Sequence, residues 1–311
     1  MTNYSNKIAI LTGDPNGIGA EITIKALNRL ILNPDEVLLI SNKKILNFYG
    51  KLNKDYEIIE IPYNSDIKPG QITPEAGEFS FQSLKKVCEI KPKAIVTAPV
   101  AKNAMHLAGH KFNGQTEVLQ HFLANNNEHA EMLFVAENFR VLLLTRHCAL
   151  KEVNLTKELI VKKISDLNLF FKNYFKIDNP KFALCSLNPH AGENGILGTE
   201  EIEIMQPAVD ELIKSGINIT KPLPSDTLFV KAGEAYNNGE NTPYDCYIAS
   251  YHDQGLIPIK TVAGDKTVNM TIGLPIIRTS PGHGTAFDIA GKNMADENGM
   301  ISAINEVLCS N

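Results

Sequence analysis

Short apolar runs recur along this chain, and helix-length amphipathic segments separate them. "KIAILTG" (7–13) leads into "AEITIKALNRLIL" (20–32), and "EVLLIS" (36–41) follows. "PEAGEFSFQSLKKVCEI" (74–90) reads as a helix and "KAIVTAPV" (93–100) as a buried strand. "RVLLLT" (140–145) precedes a helix with Thr156 as its N-cap, where Leu159, Ile160, Ile164, Leu167, Phe171 and Tyr174 fall at helical spacing. After the strand "KFALCS" (181–186), Thr199 opens a helix that runs to Gly216 with a kink at Pro207. Glu200 and Glu201 occupy its first turn, where acids suit the helix dipole. "CYIASY" (246–251) and "LPIIRTS" (274–280) are the last strand-like runs. Strands alternating with helices dictate an α/β fold with a mainly parallel sheet covered on both faces. Such sheets bind ligands beyond the carboxyl ends of their strands, so chemistry is expected just after each apolar run.

Three of the eight histidines lie there: His147 after "RVLLLTR", His190 after "KFALCSLNP" and His252 after "CYIASY". One such histidine is more often structural. Three at equivalent places face one crevice, where neutral imidazoles make a divalent metal site with open positions for substrate. Their spacing is long-range, so no local motif such as H-E-x-x-H supports the assignment. His106, His110, His121 and His129 follow no strand and read as surface residues. His283, in "SPGHGTAFDIA", sits in a turn that opens a helix and is held as a ligand-orienting or cofactor-side group.

Cations follow the third histidine. Lys260, Asn269 and Arg278 lie near strand-like runs, and such a set holds phosphate or carboxylate through charge-assisted bonds. The alternative is solvated surface charge, for which Arg278 is the least typical because it follows the apolar "LPII". Gln115 and Thr116 in "FNGQTEVL" begin a helix, a natural anion site, with plain capping by Thr116 as the alternative. The glycine-rich "TGDPNGIGAE" (12–21) matches neither the Rossmann nor the P-loop spacing. A tight strand-to-helix turn explains Gly13, Gly17 and Gly19 without a ligand.

Composition removes several classes. Against 35 acidic residues stand 30 basic ones, a net charge of −5 with no basic block, so nucleic acid is not the expected partner. The longest apolar runs, such as "VLLL" (141–144), are far short of a membrane span. The start "MTNYSNKIAILTGD" lacks signal-peptide features, and the five cysteines, odd in number and without C-x-x-C, read as reduced thiols of a cytoplasmic protein.

"TGDPNGIGAE", "ITPEAGEFSF", "TAPVAK", "FNGQTE", "LNPHAGENGILGTEE", "PLPSDTLF", "YHDQGLIPIK" and "VNMTIGLPIIRTSPGHGTAFDIAG" together resemble the 4-hydroxythreonine-4-phosphate dehydrogenase family of vitamin B6 biosynthesis. They span nearly the whole chain in order. The resemblance implies two α/β/α subdomains, expected at 1–110 plus 273–311 and at 111–272, in a fold similar to isocitrate and isopropylmalate dehydrogenases. Those enzymes bind NAD without a Rossmann fingerprint. It implies a divalent ion (zinc, magnesium or cobalt) on His147, His190 and His252, and substrate contacts at Gln115, Thr116, Lys260, Asn269 and Arg278. Lys260 is a candidate for proton transfer, and Asp253 either orients His252 or is a plain turn residue. A homodimer with active sites completed across the interface is also implied. The expected reaction is oxidative decarboxylation of 4-phosphooxy-L-threonine by NAD or NADP, yielding 3-amino-2-oxopropyl phosphate. Two departures stand out: Gln115 where the family carries a substrate-contacting histidine, and Ala101 where asparagine is common. Glutamine hydrogen-bonds but does not titrate near neutral pH. Gln115 keeps open a sister activity on threonate or erythronate 4-phosphate. A non-catalytic metabolite-binding relative is the reading from another class.

Overall fold

The computed structural model describes residues 4–125 and 128–308, so Cys309 lies outside the described residues. The chain forms two compact units, Met1–Ala130 with Val268–Asn311, and Glu131–Thr267. The sequence expectation put the edges at 110/111 and 272/273. In the structure, the helix that begins at Gln115 packs on the helix over 74–90 and so belongs to the first unit.

In chain order the first unit contributes β1 (Ile8–Leu11), α1 (Gly19–Arg29), β2 (Val37–Ser41), α2 (Lys43–Tyr49), β3 (Glu57–Glu60), α3 (Pro74–Ile90), β4 (Ala94–Thr97), α4 (Lys102–Leu107) and α5 (Gln115–Leu123). The second unit follows with β5 (Glu131–Ala136), β6 (Phe139–Leu143), α6 (Lys157–Phe170), β7 (Phe182–Leu184), α7 (Gln206–Lys214), α8 (Ser225–Asn237), β8 (Cys246–Ala249) and α9 (His252–Ala263). The chain then returns to the first unit as β9 (Val268–Ile272), β10 (Arg278–Pro281) and α10 (Asn298–Leu308). Among the described residues no helix is long and apolar enough to cross a membrane.

The first unit orders its strands β3-β2-β1-β4-β10-β9, parallel except for the β10/β9 pair. Ile8 and Ile10 pack with residues of α1 and α10, while Ala9 and Leu11 pack with α3 and α5. Both faces of β1 are therefore covered, which is why its sequence is a continuous apolar run rather than an alternating one. In the second unit the order is β5-β6-β8-β7, with β6, β8 and β7 parallel and β5 antiparallel to β6. Helices α8 and α9 cover one face of that sheet through Phe229, Ala232, Leu256 and Ile259.

Local signals explain the elements. The Thr73 hydroxyl accepts from the Ala76 amide and Pro74 starts α3, whose bounds match the expectation. Thr156 likewise caps α6 through the Leu159 amide. The kink at Pro207 takes the form of a π-helical turn, Glu201–Met205, ahead of α7. Proline lacks the amide that would continue the α-pattern, and the wider turn accommodates its ring. His110 is not a plain surface residue: its ring stacks on Phe81 with centroids 3.6 Å apart, and Nε2 bonds Glu78 at 2.7 Å.

The glycine-rich turn after β1 is sealed by protein. Gly13 has φ +72°, and a Cβ there would meet the Pro99 carbonyl oxygen at 2.3 Å. A Cβ on Gly19 would meet the Thr12 carbonyl oxygen at 2.2 Å. Close backbone approach, not a phosphate, demands these glycines. Between them Asp14 is fully buried. Burial raises its pKa to about 6, although the Asn16 and Ala101 amides favour its charge, and its Oδ2 has no partner. Its folded pKa lies above the unfolded value of 3.8. The folded state therefore holds the extra proton between these values, and stability falls as pH rises toward and through 6. Asp14→Asn, which imitates the protonated acid, is expected to stabilise the protein by up to about 3 kcal/mol at pH 8 and hardly at pH 4. Urea unfolding at both pH values checks this; an equal effect at both would contradict it.

Candidate active site

Strands β6, β8 and β7 lie side by side and parallel, so their carboxyl ends share one edge of the second unit's sheet. His147 follows β6, His190 follows β7, and His252 is the first residue of α9 just after β8. The structure brings His147 and His252 together, with ring centroids 5.5 Å apart at 47°. They line one cavity of about 240 Å³ with Arg146, Cys148, Tyr251 and Asp253. His190 lines a neighbouring cleft of about 490 Å³ with Tyr251, Asp253 and Gln254. Asp253 thus borders both. Its Oδ1 lies 2.7 Å from His252 Nδ1, which orients that imidazole and leaves Nε2 for another partner.

Two imidazoles on one tetrahedral ion have ring centroids ~5 Å apart, given metal–nitrogen bonds of about 2.0–2.1 Å. The His147–His252 pair, backed by Asp253, fits a divalent metal by both donor type and spacing. The set is not closed around such an ion: among the described residues no group of three or more His, Cys, Asp or Glu stands close enough to hold one. His190 is the member set apart. It begins a run, His190 to Asn194, in which every residue has φ between 44° and 76°. A left-handed turn of this kind costs L-residues roughly 1–2 kcal/mol each, and it must be held by its surroundings. Glu201 does part of this. Buried, it accepts the Asn188 amide at 2.7 Å and the Asn188 side-chain nitrogen at 3.0 Å.

In the first unit a second set gathers around β4 and β10. Arg278 is only 3% exposed, so the surface-charge reading fails for it. Its Nε donates to Thr97 Oγ1 at 2.8 Å and Nη1 to Thr271 Oγ1 at 3.4 Å. Burial lowers its pKa to about 10, and the Glu117 carboxylate opposes that shift. Gln115 donates through Nε2 to the Ala98 carbonyl at 3.1 Å, while its buried Oε1 has no partner. Asn269 Oδ1 is likewise buried and unpartnered. Thr116 is buried one residue inside α5; Gly114, not Thr116, is the N-cap, and no side chain caps this helix. A buried cation and orphaned acceptors around the same strands suit a ligand carrying both an anion and hydrogen-bond donors.

Lys260 occupies the last turn of α9 in the second unit, and desolvation lowers its pKa. His283 is half-buried, but the turns around it do not open a helix; α10 starts only at Asn298. A Cβ on Gly284 would have nothing within 4 Å, so the backbone beside His283 borders open space. Sequence reasoning passed over Asn188, Glu201 as a clamp, and Gln254. Their one signal was proximity to a histidine or, for Glu201, a helix start that had another explanation.

The sequence profile of the pyridoxal phosphate biosynthetic protein PdxA matches residues 8–307. This chain belongs to the PdxA family. A 4-hydroxythreonine-4-phosphate dehydrogenase of Sulfurihydrogenibium sp. (strain YO3AOP1) is 39% identical over 96% of each chain. A relative from Oceanobacillus iheyensis with the provisional name D-threonate 4-phosphate dehydrogenase is 36% identical over 97% of this chain and 96% of its own. The crystal structure of 4-hydroxythreonine-4-phosphate dehydrogenase from Klebsiella pneumoniae superposes with a TM-score of 0.84 at 33% identity, covering 98% of this chain and 99% of that one. Isocitrate dehydrogenase from Methylococcus capsulatus shares the fold, at a TM-score of 0.52 and 14% identity over 97% of this chain and 85% of that one. PdxA proteins are oxidoreductases whose general reaction is NAD-dependent oxidation, so the family implies a nicotinamide cofactor.

Proposed function

We propose that this PdxA-family protein oxidatively decarboxylates 4-phosphooxy-L-threonine to 3-amino-2-oxopropyl phosphate, using NAD or NADP and one divalent ion per site. The observation that carries the reading is that one unit holds both the desolvated Arg278 and the buried, unpartnered oxygens of Gln115 and Asn269. The substrate offers what these groups lack: phosphate or carboxylate for the guanidinium, ammonium and hydroxyl for the acceptors. Thr116, with the amides that begin α5, adds donors for an anionic group.

His147, His252 and His190 would hold the ion, which supplies Lewis acidity to the substrate hydroxyl and to the ketone that oxidation creates. A bound nicotinamide would supply the hydride acceptor, and His283 lies in the stretch proposed to receive its nucleotide. Lys260, with its lowered pKa, is suited to accept the hydroxyl proton. It is equally suited to return a proton to the carbon left when carbon dioxide departs.

Exposed Ile196, Leu197 and Ile202, at 79%, 42% and 53%, lie close to His190 in sequence and support a homodimer that buries this region and completes the site. Free Cys88, Cys148, Cys185 and Cys246 support a cytoplasmic, reducing setting. The test mixes purified protein, NAD, a divalent metal and 4-phosphooxy-L-threonine; absorbance of the reduced nicotinamide should rise. A flat trace here with turnover of D-threonate 4-phosphate would move the protein to that sister activity. The Oceanobacillus relative and the non-titrating Gln115 favour that second reading. Calorimetric binding of either compound without turnover would make the protein a metabolite binder.

A further inference from the structure

Two of the three strand ends that carry the histidines, those of β8 and β7, are bridged by one side chain, Gln254. Its Oε1 accepts from the Ser250 amide at 2.6 Å. Its Nε2 donates to the Ser186 carbonyl at 2.6 Å and to Ser225 Oγ at 2.7 Å. A backbone amide only donates and a carbonyl only accepts, so the orientation of the carboxamide is forced. Both N–H donors of the group are thereby used within the protein, and its oxygen is tied to the Ser250 amide.

The network continues on both sides. The Ser250 carbonyl accepts from Thr145 Oγ1 at 2.7 Å. Ser186 Oγ donates to the Asn188 carbonyl at 2.9 Å, and Asn188 is clamped in turn by Glu201. Thr145, Ser250 and Asn188 each stand two residues before one of the histidines: His147, His252 and His190. Thr145 and Ser250 join the ends of β6 and β8 directly, which matches the close His147–His252 pair. The β7 end reaches that pair through Gln254, by way of Ser186, and also through a weaker bond from Ser250 Oγ to the Cys185 carbonyl at 3.2 Å.

We propose that Gln254 is a positioning residue, whose carboxamide sets where the His190 turn stands relative to the His147–His252 pair. The proposal rests on the metal reading given above. Gln254→Glu keeps the size and the acceptor for the Ser250 amide but places a carboxylate oxygen against the Ser186 carbonyl. It should loosen the His190 side alone. Ser186→Ala removes only the next link and leaves Gln254 intact.

The test titrates cobalt(II) into the purified full chain, followed by calorimetry and by the visible absorption of the bound ion. Wild type should bind, and His252→Ala should not. Gln254→Glu should bind about 10–100-fold more weakly with altered band positions or intensities, the range seen when groups that orient metal ligands are removed. Ser186→Ala should shift both readouts the same way by less, and it carries the test if Gln254→Glu does not fold. Wild-type affinity and spectrum in the folded variants would overturn the role of Gln254 while leaving the metal reading intact. Absence of cobalt binding by wild type would overturn the metal reading and this inference with it.

Discussion

Arg278→Met is expected to raise thermal stability while lowering kcat/KM by about 10²–10³-fold, the penalty typical of removing one partner from a buried charge pair. The guanidinium is buried with two threonine hydroxyls as bonded partners and Glu117 as the opposing charge. Its pKa of about 10, down from 12.5, means that the folded state disfavours the charged form at neutral pH, by about 3 kcal/mol at most. Methionine fills much of the same space without a charge, so some of that cost returns as stability, less the bonds to Thr97 and Thr271. The sign follows from the depressed base: as pH rises through about 10 the wild-type penalty shrinks, and the stability gap between the two proteins should narrow. Arg278→Lys separates charge from shape, because it keeps the cation and loses the planar fork. Turnover within tenfold of wild type in the methionine variant would remove Arg278 from the substrate site.

His252→Ala should abolish both metal binding and turnover, with metal affinity falling by more than about 100-fold, since a protein ligand is lost outright rather than merely its support. His147→Ala should match it, because the two rings stand as a pair. Asp253→Ala, which leaves the imidazole in place but unoriented, should weaken binding by about 10–100-fold. A chelator should silence the wild type, and added zinc, cobalt or magnesium should restore it to different degrees. Full activity of His252→Ala, or of wild type stripped of metal, would sink the assignment.

The legible part of the structure was whatever rested on local pattern. The α3 helix was readable to the residue because Thr73, Pro74 and a clear apolar stripe all agree. The buried strands β1, β2, β4, β6, β7 and β8 were readable because both faces are covered and their sequences are unbroken apolar runs. The α9 helix was missed because Gly255 and Pro258 argue against a helix in sequence. In the structure Gly255 lets the helix sit on Val141, Leu143 and Ala249, where a Cβ would come within 2.7–2.9 Å, a tertiary reason no local window contains. Strand β3 was missed for the opposite reason: its residues are partly exposed and "EIIE" is too short to declare itself. At the site, the place of three histidines just after apolar runs was readable in sequence, but not that β6, β8 and β7 are neighbours. The left-handed turn under His190 was not, since "PHAGENG" signals irregular backbone without its hand.

The division of the first unit into two stretches of chain has a consequence for how the protein is made. Strand β4 pairs with β1 on one side and with β10 on the other, in the register Arg278 to Ile95 and Thr279 to Val96. A ribosome completes β4 roughly 180 residues before it completes β10, an interval of ~10–40 s at ordinary synthesis rates. Throughout that time the emerging sheet has an unpaired apolar edge, the kind that recruits strands from other chains. The second unit, whose residues lie within one continuous stretch, is free to fold meanwhile. The last segment, β9 to α10, then supplies the missing neighbour and, with it, Asn269 and Arg278. The cation proposed to hold the substrate is thus delivered by the same late step that closes the vulnerable edge, so a chain truncated before residue 268 is expected to be both inactive and prone to aggregate.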